Sequence, residues 1–98
     1  MKEIRETEIF REWFASLRDI RAVTRIDVRI KRLAMGNPGD VKPAGEGISE
    51  MRIDYGPGYR VYFKDSGKEI IVLLCGGDKR TQDRDIEQAK GLLRNLEV

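Results

Sequence analysis

The chain has 98 residues, with 19 basic and 17 acidic side chains and a formal net charge of +2. This length fits a single domain over residues 1–98, and a domain of this size can bury a core without disulfides or a metal. The sequence has no histidine, which excludes Ser–His–Asp and Cys–His catalysis and imidazole-based metal sites. A single cysteine, Cys75, cannot form an internal disulfide and favours a reducing compartment. Because no run of about 18 apolar residues and no signal-peptide pattern is found, we expect a cytoplasmic protein rather than a membrane-spanning or exported one.

The first third of the chain predicts a short strand followed by two helices. Residues 2–6 alternate loosely, as in an edge strand, and Thr7 is a suitable helix N-cap. Asp19 can cap a second helix that ends near Met35, before Gly36. The apolar side chains of both helices recur every three or four positions: Phe10, Trp13, Phe14 and Leu17, then Ile20, Val23, Ile26, Ile30 and Leu33. Since few residues separate the helices, we expect them to pack as an antiparallel hairpin.

The rest of the chain predicts a loop to about Gly47, strands over 49–55, 59–64 and 69–75, and a final helix over about 81–96. The third of these strands is almost entirely apolar, which is typical of a central strand covered on both faces. Short turns require antiparallel pairing of neighbouring strands. The expected architecture is therefore α+β. It consists of an N-terminal helical hairpin packed on a small antiparallel meander of three or four strands, followed by a C-terminal helix.

One face of this sheet is a candidate site. Period-two alternation puts Arg52 and Arg60 on neighbouring strands, away from the apolar face, with Tyr62 on the side of Arg60. Lys79 and Arg80 follow the central strand, so these cationic groups and the phenol are expected to converge. Guanidinium forks match phosphate oxygens, and RNA can be cut without histidine when its own 2′-hydroxyl is the nucleophile. The alternative is that both strand arginines are ordinary solvated residues paired with nearby carboxylates such as Glu50 and Asp54.

A second candidate is a stripe of arginines along one face of the second helix. Its members are three or four residues apart: Arg18, Arg21, Arg25, Arg29 and Arg32. They predict either a face that follows nucleic-acid phosphates or a plain solvent-exposed face.

The segment 76–81, before the last helix, loosely resembles a phosphate-binding loop but lacks the spacing of a nucleotide-binding one. The alternative is a strand-to-helix connection whose glycines permit tight geometry. Asp78 alone is a poor metal site, so we expect neither a metal nor a cofactor. Cys75 is expected to be a small buried residue rather than a nucleophile.

Four segments, in chain order, resemble the HigB-like addiction module killer proteins of the RelE/ParE superfamily. They are 39–43 (GDVKP), 45–53 (GEGISEMRI), 55–63 (YGPGYRVYF) and 73–79 (LLCGGDK). The resemblance implies a RelE-like fold and the toxin of a type II toxin–antitoxin pair. Such a toxin is bound by an antitoxin with a helix-turn-helix domain and contacts operator DNA only through that antitoxin.

The same resemblance implies a metal-independent endoribonuclease that inhibits translation by cutting mRNA on the ribosome. It implies catalytic roles for Arg60, Arg52 and Lys79. Many members have His or Tyr after the last strand, where this chain has Asp78–Arg80. This departure leaves the proton donor unassigned, and Lys79 is the candidate. Further RNA contacts are expected from Lys42, Tyr62, Arg80, Arg25 and Arg29. Two alternatives stay open, a ParE-like inhibitor of DNA gyrase without nuclease activity and a non-catalytic RNA- or ribosome-binding domain.

Overall fold

The computed structural model describes residues 1–96. These residues form five strands and three helices, with a short 3₁₀ turn, Lys79–Thr81, before the last helix. The elements in chain order are β1 (Glu3–Glu6), α1 (Glu8–Ser16), α2 (Ile20–Ala34), β2 (Val41–Gly45), β3 (Ile48–Ile53), β4 (Tyr59–Asp65), β5 (Ile70–Asp78) and α3 (Gln82–Leu96).

All five strands belong to one mixed sheet with the order β1-β5-β4-β3-β2. Strand β1 is parallel to β5, with Glu3 opposite Ile70, while the other neighbours are antiparallel. The expected helical hairpin on an antiparallel meander of three or four strands is therefore wrong. A strand from the start of the chain joins the sheet beside its last strand, and the segment predicted to be a loop before Gly47 contains β2.

The two N-terminal helices pack on the sheet separately, each against a different strand, and not as a hairpin. Helix α1 lies over β5, and α2 lies over β3. Phe10 of α1 and Ile26 of α2 are buried in one apolar cluster with Met51 and Val61 of the sheet. The apolar side chains of each helix thus pack against the strands, because burying apolar area is the main favourable contribution to folding.

The predicted starts of these helices are confirmed. The Thr7 side chain accepts a hydrogen bond from the backbone N–H of Phe10 at 3.0 Å, and Asp19 accepts one from the backbone N–H of Arg21 at 2.9 Å. The Thr7 hydroxyl also donates to the carbonyl of Leu74 at 2.6 Å. Thr7 therefore caps α1 and at the same time fixes its start to β5.

The sheet has a different interior on each side. The α1/α2 side holds the apolar cluster built around Phe10 and Phe63, whereas the α3 side packs Ile48, Leu74 and Leu93 around a buried tyrosine, Tyr62. Within residues 1–96, no helix is long and apolar enough to cross a bilayer.

Candidate functional site

A polar cavity of about 450 Å³ opens where β3 ends and β4 begins. Arg52, Arg60 and Lys79 all line it, together with Asp40 and Asp54. The three cationic residues come from β3, β4 and the turn after β5. The fold thus brings together three of the side chains that the sequence predicted to converge, whereas Tyr62 and Arg80 do not line the cavity. Three cations against two carboxylates leave this cavity with a net positive charge.

The strand register explains this convergence. Arg52 and Arg60 are directly opposite each other in the β3–β4 pair, and Arg60 is opposite Gly77 in the β4–β5 pair. Gly58 lies in the β3–β4 turn with a positive φ of 82°, and a Cβ atom there would lie 3.5 Å from the Cβ of Lys79. Like charges placed directly opposite in a sheet are destabilising. The pairing of two arginines is thus a cost to the fold that an anionic ligand would offset.

Asp40 is a member of this site that the sequence analysis missed. Its Oδ1 accepts hydrogen bonds from Nη2 and Nε of Arg52, at 2.8 and 3.2 Å. These bonds hold the pKa of Asp40 below its ordinary value and raise the pKa of Arg52. The sequence had instead suggested Glu50 and Asp54 as partners for the strand arginines. Asp40 lies in the first segment of the family resemblance, which was the available signal.

Arg29 fixes the loop that carries Asp40. Its guanidinium donates to the backbone carbonyls of Arg52 at 2.7 Å, Pro38 at 3.1 Å and Asp40 at 3.2 Å. A guanidinium committed to three carbonyls has little capacity left for RNA, so Arg29 supports the site from behind instead of adding to its surface.

Arg25, the other residue of the stripe with an expected RNA contact, lies over the ring of Tyr55 at 4.7 Å from the ring centroid. The Tyr55 hydroxyl donates to Asp19 at 2.9 Å. Arg25 thus packs on the β3–β4 turn and lines a neighbouring cavity of about 280 Å³ between that turn and α2.

Tyr62 is on the same sheet face as Arg60, as predicted, but it is fully buried beneath α3. Its hydroxyl donates to Glu50 at 3.0 Å, and burial together with that carboxylate raises the pKa of Tyr62. A phenol enclosed in this way cannot contact RNA. The alternation of β4 predicted on which face of the sheet Tyr62 lies, but the same pattern could not predict that α3 covers this face.

The remaining predicted contacts lie around the cavity. Lys42, on the edge strand β2, has its ammonium 3.9 Å from Oε1 of Glu50 and remains about half exposed. Arg80 extends into solvent from the 3₁₀ turn next to Lys79 and pairs with Asp78 at 3.2 Å. Both are accessible, and neither is held as firmly as Arg52.

The two adjacent glycines before Asp78 belong to β5 and do not form a phosphate-binding loop. A Cβ atom on Gly76 would overlap the ring of Trp13, and one on Gly77 would overlap the carboxylate of Asp85. The expected tight geometry is therefore present, but it serves close packing on opposite faces of a strand.

The cysteine thiol and a possible metal site also bear on the chemistry of the protein. Burial raises the pKa of Cys75 to about 12, so its thiol is protonated at neutral pH. Within residues 1–96, no three histidine, cysteine or carboxylate side chains are grouped so as to hold a metal ion.

The chain is similar to a bacterial protein along nearly its whole length. The chain is 51% identical over 94 residues to an uncharacterized protein of Haemophilus influenzae strain Rd, an alignment that covers 96% of this chain and 95% of that protein. The chain belongs to the family of that protein. No family model matches the chain. The name of that protein states no activity.

Proposed function

We propose that this protein is the toxin of a type II toxin–antitoxin pair, a HigB-like member of the RelE/ParE superfamily that cuts mRNA on the ribosome in the cytoplasm. The observation that supports it is the shared cavity of Arg52, Arg60 and Lys79, three cationic groups from separate segments of the chain. Its volume of about 450 Å³ and its polar lining suit a phosphodiester with part of its two nucleotides.

The chemistry follows from these groups. In the proposed reaction, the 2′-hydroxyl of the RNA gives its proton to water and attacks the neighbouring phosphorus. The bond from phosphorus to the 5′ oxygen breaks, which leaves a 2′,3′-cyclic phosphate and a 5′-hydroxyl. The guanidinium groups of Arg60 and Arg52 neutralise the charge that develops on the phosphate oxygens. Lys79 is exposed at the mouth of the cavity and supplies a proton to the departing 5′ oxygen.

Asp40 and Arg29 would act on this reaction through Arg52. Asp40 holds one edge of the Arg52 guanidinium, and Arg29 anchors the Asp40 loop to the backbone of β3. A guanidinium held in advance loses less conformational entropy when it binds an anion. Around this centre, Lys42 and Arg80 provide accessible positive charge for the flanking strand or for ribosomal RNA.

A cytoplasmic partner follows from the same proposal. An enzyme that cuts messages must be neutralised until needed, and a helix-turn-helix antitoxin that covers the positively charged cavity would do so. Contact with operator DNA would then belong to the antitoxin.

The test is induction of the wild-type chain and of Arg60→Ala in a bacterial host, with mapping of mRNA 5′ ends. We expect new ends within translated frames for the wild type. Arg60→Ala should lose growth inhibition and reduce cleavage by about 100-fold or more, as removal of a transition-state donor does. Arg94→Ala is the matched control, since Arg94 is an exposed arginine bound to Glu46 at 3.0 Å on α3.

Three results would contradict the proposal. If the Arg60→Ala protein is as toxic as the wild type, Arg60 does not belong to the site. DNA breaks with intact mRNA would select gyrase inhibition on the same scaffold. Sedimentation with ribosomes, without any cut, would leave a binding domain.

A further inference from the structure

A second cavity adjoins the one lined by Arg52, Arg60 and Lys79. It has a volume of about 280 Å³ and lies between α2 and the end of β3, and we call it the α2 cavity. Ile53, the last residue of β3, and Asp54, which follows it, line both cavities. A molecule bound in the first cavity can therefore extend directly into the second.

The α2 cavity combines an apolar surface with positive charge. Val28 of α2 and Ile53 supply aliphatic carbon, and Val28 keeps 37% of its surface exposed although it is apolar. Three guanidinium groups line the same cavity, against the carboxylate of Asp54: those of Arg25, Arg29 and Arg32. A small pocket of this kind suits a flat, partly apolar ligand that is attached to an anion, because carbon atoms bury the ring and a few polar groups fix its orientation.

Two charged side chains of the α2 cavity are free to contact such a ligand. Within residues 1–96, Arg32 and Asp54 take part in no ion pair, whereas Arg52, Arg80 and Arg94 each contact a carboxylate. A guanidinium donates to the acceptors on the edge of a nucleobase, and a carboxylate accepts from its amino group. The α2 cavity therefore offers both kinds of contact that distinguish one base from another.

The strand register fixes the order of these groups along the end of the sheet. Ile53 is opposite Tyr59, and Tyr59 is opposite Asp78, in one row across three strands. Asp54 and Lys79 are the next residues after the two ends of this row, and two strand spacings separate them by about 10 Å. The first cavity thus extends from Asp54, beside the α2 cavity, to Lys79 on the opposite side.

This order gives the RNA strand a direction, if the proposed function is correct. The 5′ oxygen that Lys79 protonates belongs to the nucleotide after the cut, so that nucleotide lies on the Lys79 side. The nucleotide before the cut carries the attacking 2′-hydroxyl and lies on the Asp54 side. We propose that the α2 cavity binds the base of the nucleotide before the cut, with Val28 against the ring and Arg32 and Asp54 at its polar edge.

The experiment uses nucleoside monophosphates as NMR probes of the full chain. In a 3′-monophosphate the base is placed as in the nucleotide before the cut, and in a 5′-monophosphate as in the nucleotide after it. We expect at least one of the four 3′-monophosphates to shift the backbone N–H signals of Thr24 and Val28 as well as that of Arg60. The 5′-monophosphates and inorganic phosphate should shift the Arg60 signal and leave the two α2 signals in place.

Val28→Asp tests the cavity itself, because a carboxylate against the ring would have to lose its water. Its affinity for the 3′-monophosphate should fall at least about tenfold, and so should that of Arg32→Ala, as the loss of a base contact does. Affinity for the 5′-monophosphates should stay within about twofold. Ile20→Asp is the matched control, since it makes the same change of charge on α2 at a position that is 80% exposed and lines neither cavity.

Mapped mRNA ends give a second measurement. Val28→Asp should change the base preference immediately before the cut and leave the preference after the cut as in the wild type. Val28 signals that respond to the 5′-monophosphates instead, or to none of the probes, would overturn the inference even if the wild type cuts RNA. If the 3′-monophosphates bind as expected but no RNA is cut, the proposed function fails and the base site stands.

Discussion

The two sides of the sheet are built on different principles. On the α1/α2 side, Phe10, Ile26 and Met51 form a continuous apolar core with no buried charge among the described residues. On the α3 side, apolar residues surround a polar layer that contains Glu50 and Asp85. Apolar burial stabilises wherever it occurs, whereas taking a carboxylate out of water is costly.

The comparison is sharpest at two neighbouring glycines of β5. Gly76 accommodates the flat ring of Trp13, and Gly77 accommodates the carboxylate of Asp85. The same local feature, a missing Cβ, thus serves hydrophobic packing on one face and charge placement on the other. The α1/α2 side is thus an apolar interior, whereas the α3 side encloses two carboxylates.

The largest effect is expected from Gly76→Ala and Gly77→Ala, studied as a pair. Each added methyl group overlaps a neighbour, so both should lower the free energy of unfolding by about 2–3 kcal/mol, measured by urea denaturation. The pair should differ in activity, because Gly77 is opposite Arg60 in the β4–β5 pair and Gly76 is opposite Val61. At equal folded fractions, RNA cleavage should fall in Gly77→Ala and persist in Gly76→Ala. Equal losses of cleavage would break the proposed division between the faces.

A somewhat smaller effect is expected from Tyr62→Phe. This change removes a donor to a fully buried carboxylate, and a lost hydrogen bond to a charged group costs about 1.5–3 kcal/mol. Tyr55→Phe is the control, since it removes a 2.9 Å bond to Asp19 at the surface and should cost less than about 1 kcal/mol. Denaturant midpoints of the two variants that coincide would mean that the polar layer is not as enclosed as described.

The smallest effect concerns a pair outside both interiors. Lys2 donates to Asp65 at 2.6 Å, and this bond is the main cause of the lowered pKa of Asp65. Because the pKa is lower in the folded chain, the contribution to stability is present above the ordinary value of 3.8 and is lost as pH falls below it. Asp65→Asn should flatten this acid part of the stability profile, and Lys2→Met should flatten it in the same way. An unchanged acid profile in both variants would show that the pair contributes nothing measurable, as partly exposed pairs often do.

Local patterns in the sequence predicted much of this structure. The caps at Thr7 and Asp19 and the alternation around Arg52 and Arg60 depend on neighbours a few residues apart, and all four were placed correctly. The opposition of the two arginines follows directly from alternation on both sides of a tight turn.

What could not be predicted depends on residues far apart along the chain. The parallel pairing of β1 with β5 and the cover that α3 provides over Tyr62 leave no periodic signal in a single segment. Asp40 and Arg29 act through a loop whose path is fixed by three backbone carbonyls, and backbone groups have no sequence signature. The cationic residues of the site could therefore be predicted from the sequence, whereas Asp40 and Arg29, which fix Arg52, could not.

The pairing of β1 with β5 also constrains when the protein can assemble. Glu3 and Glu6 find their partners at Ile70 and Leu73, so β1 cannot pair until β5 has been made. Contacts between distant segments slow folding, and here they cannot form until those residues have left the exit tunnel. A growing chain consequently has no complete sheet, and no finished cavity, until β5 and the turn after it have emerged.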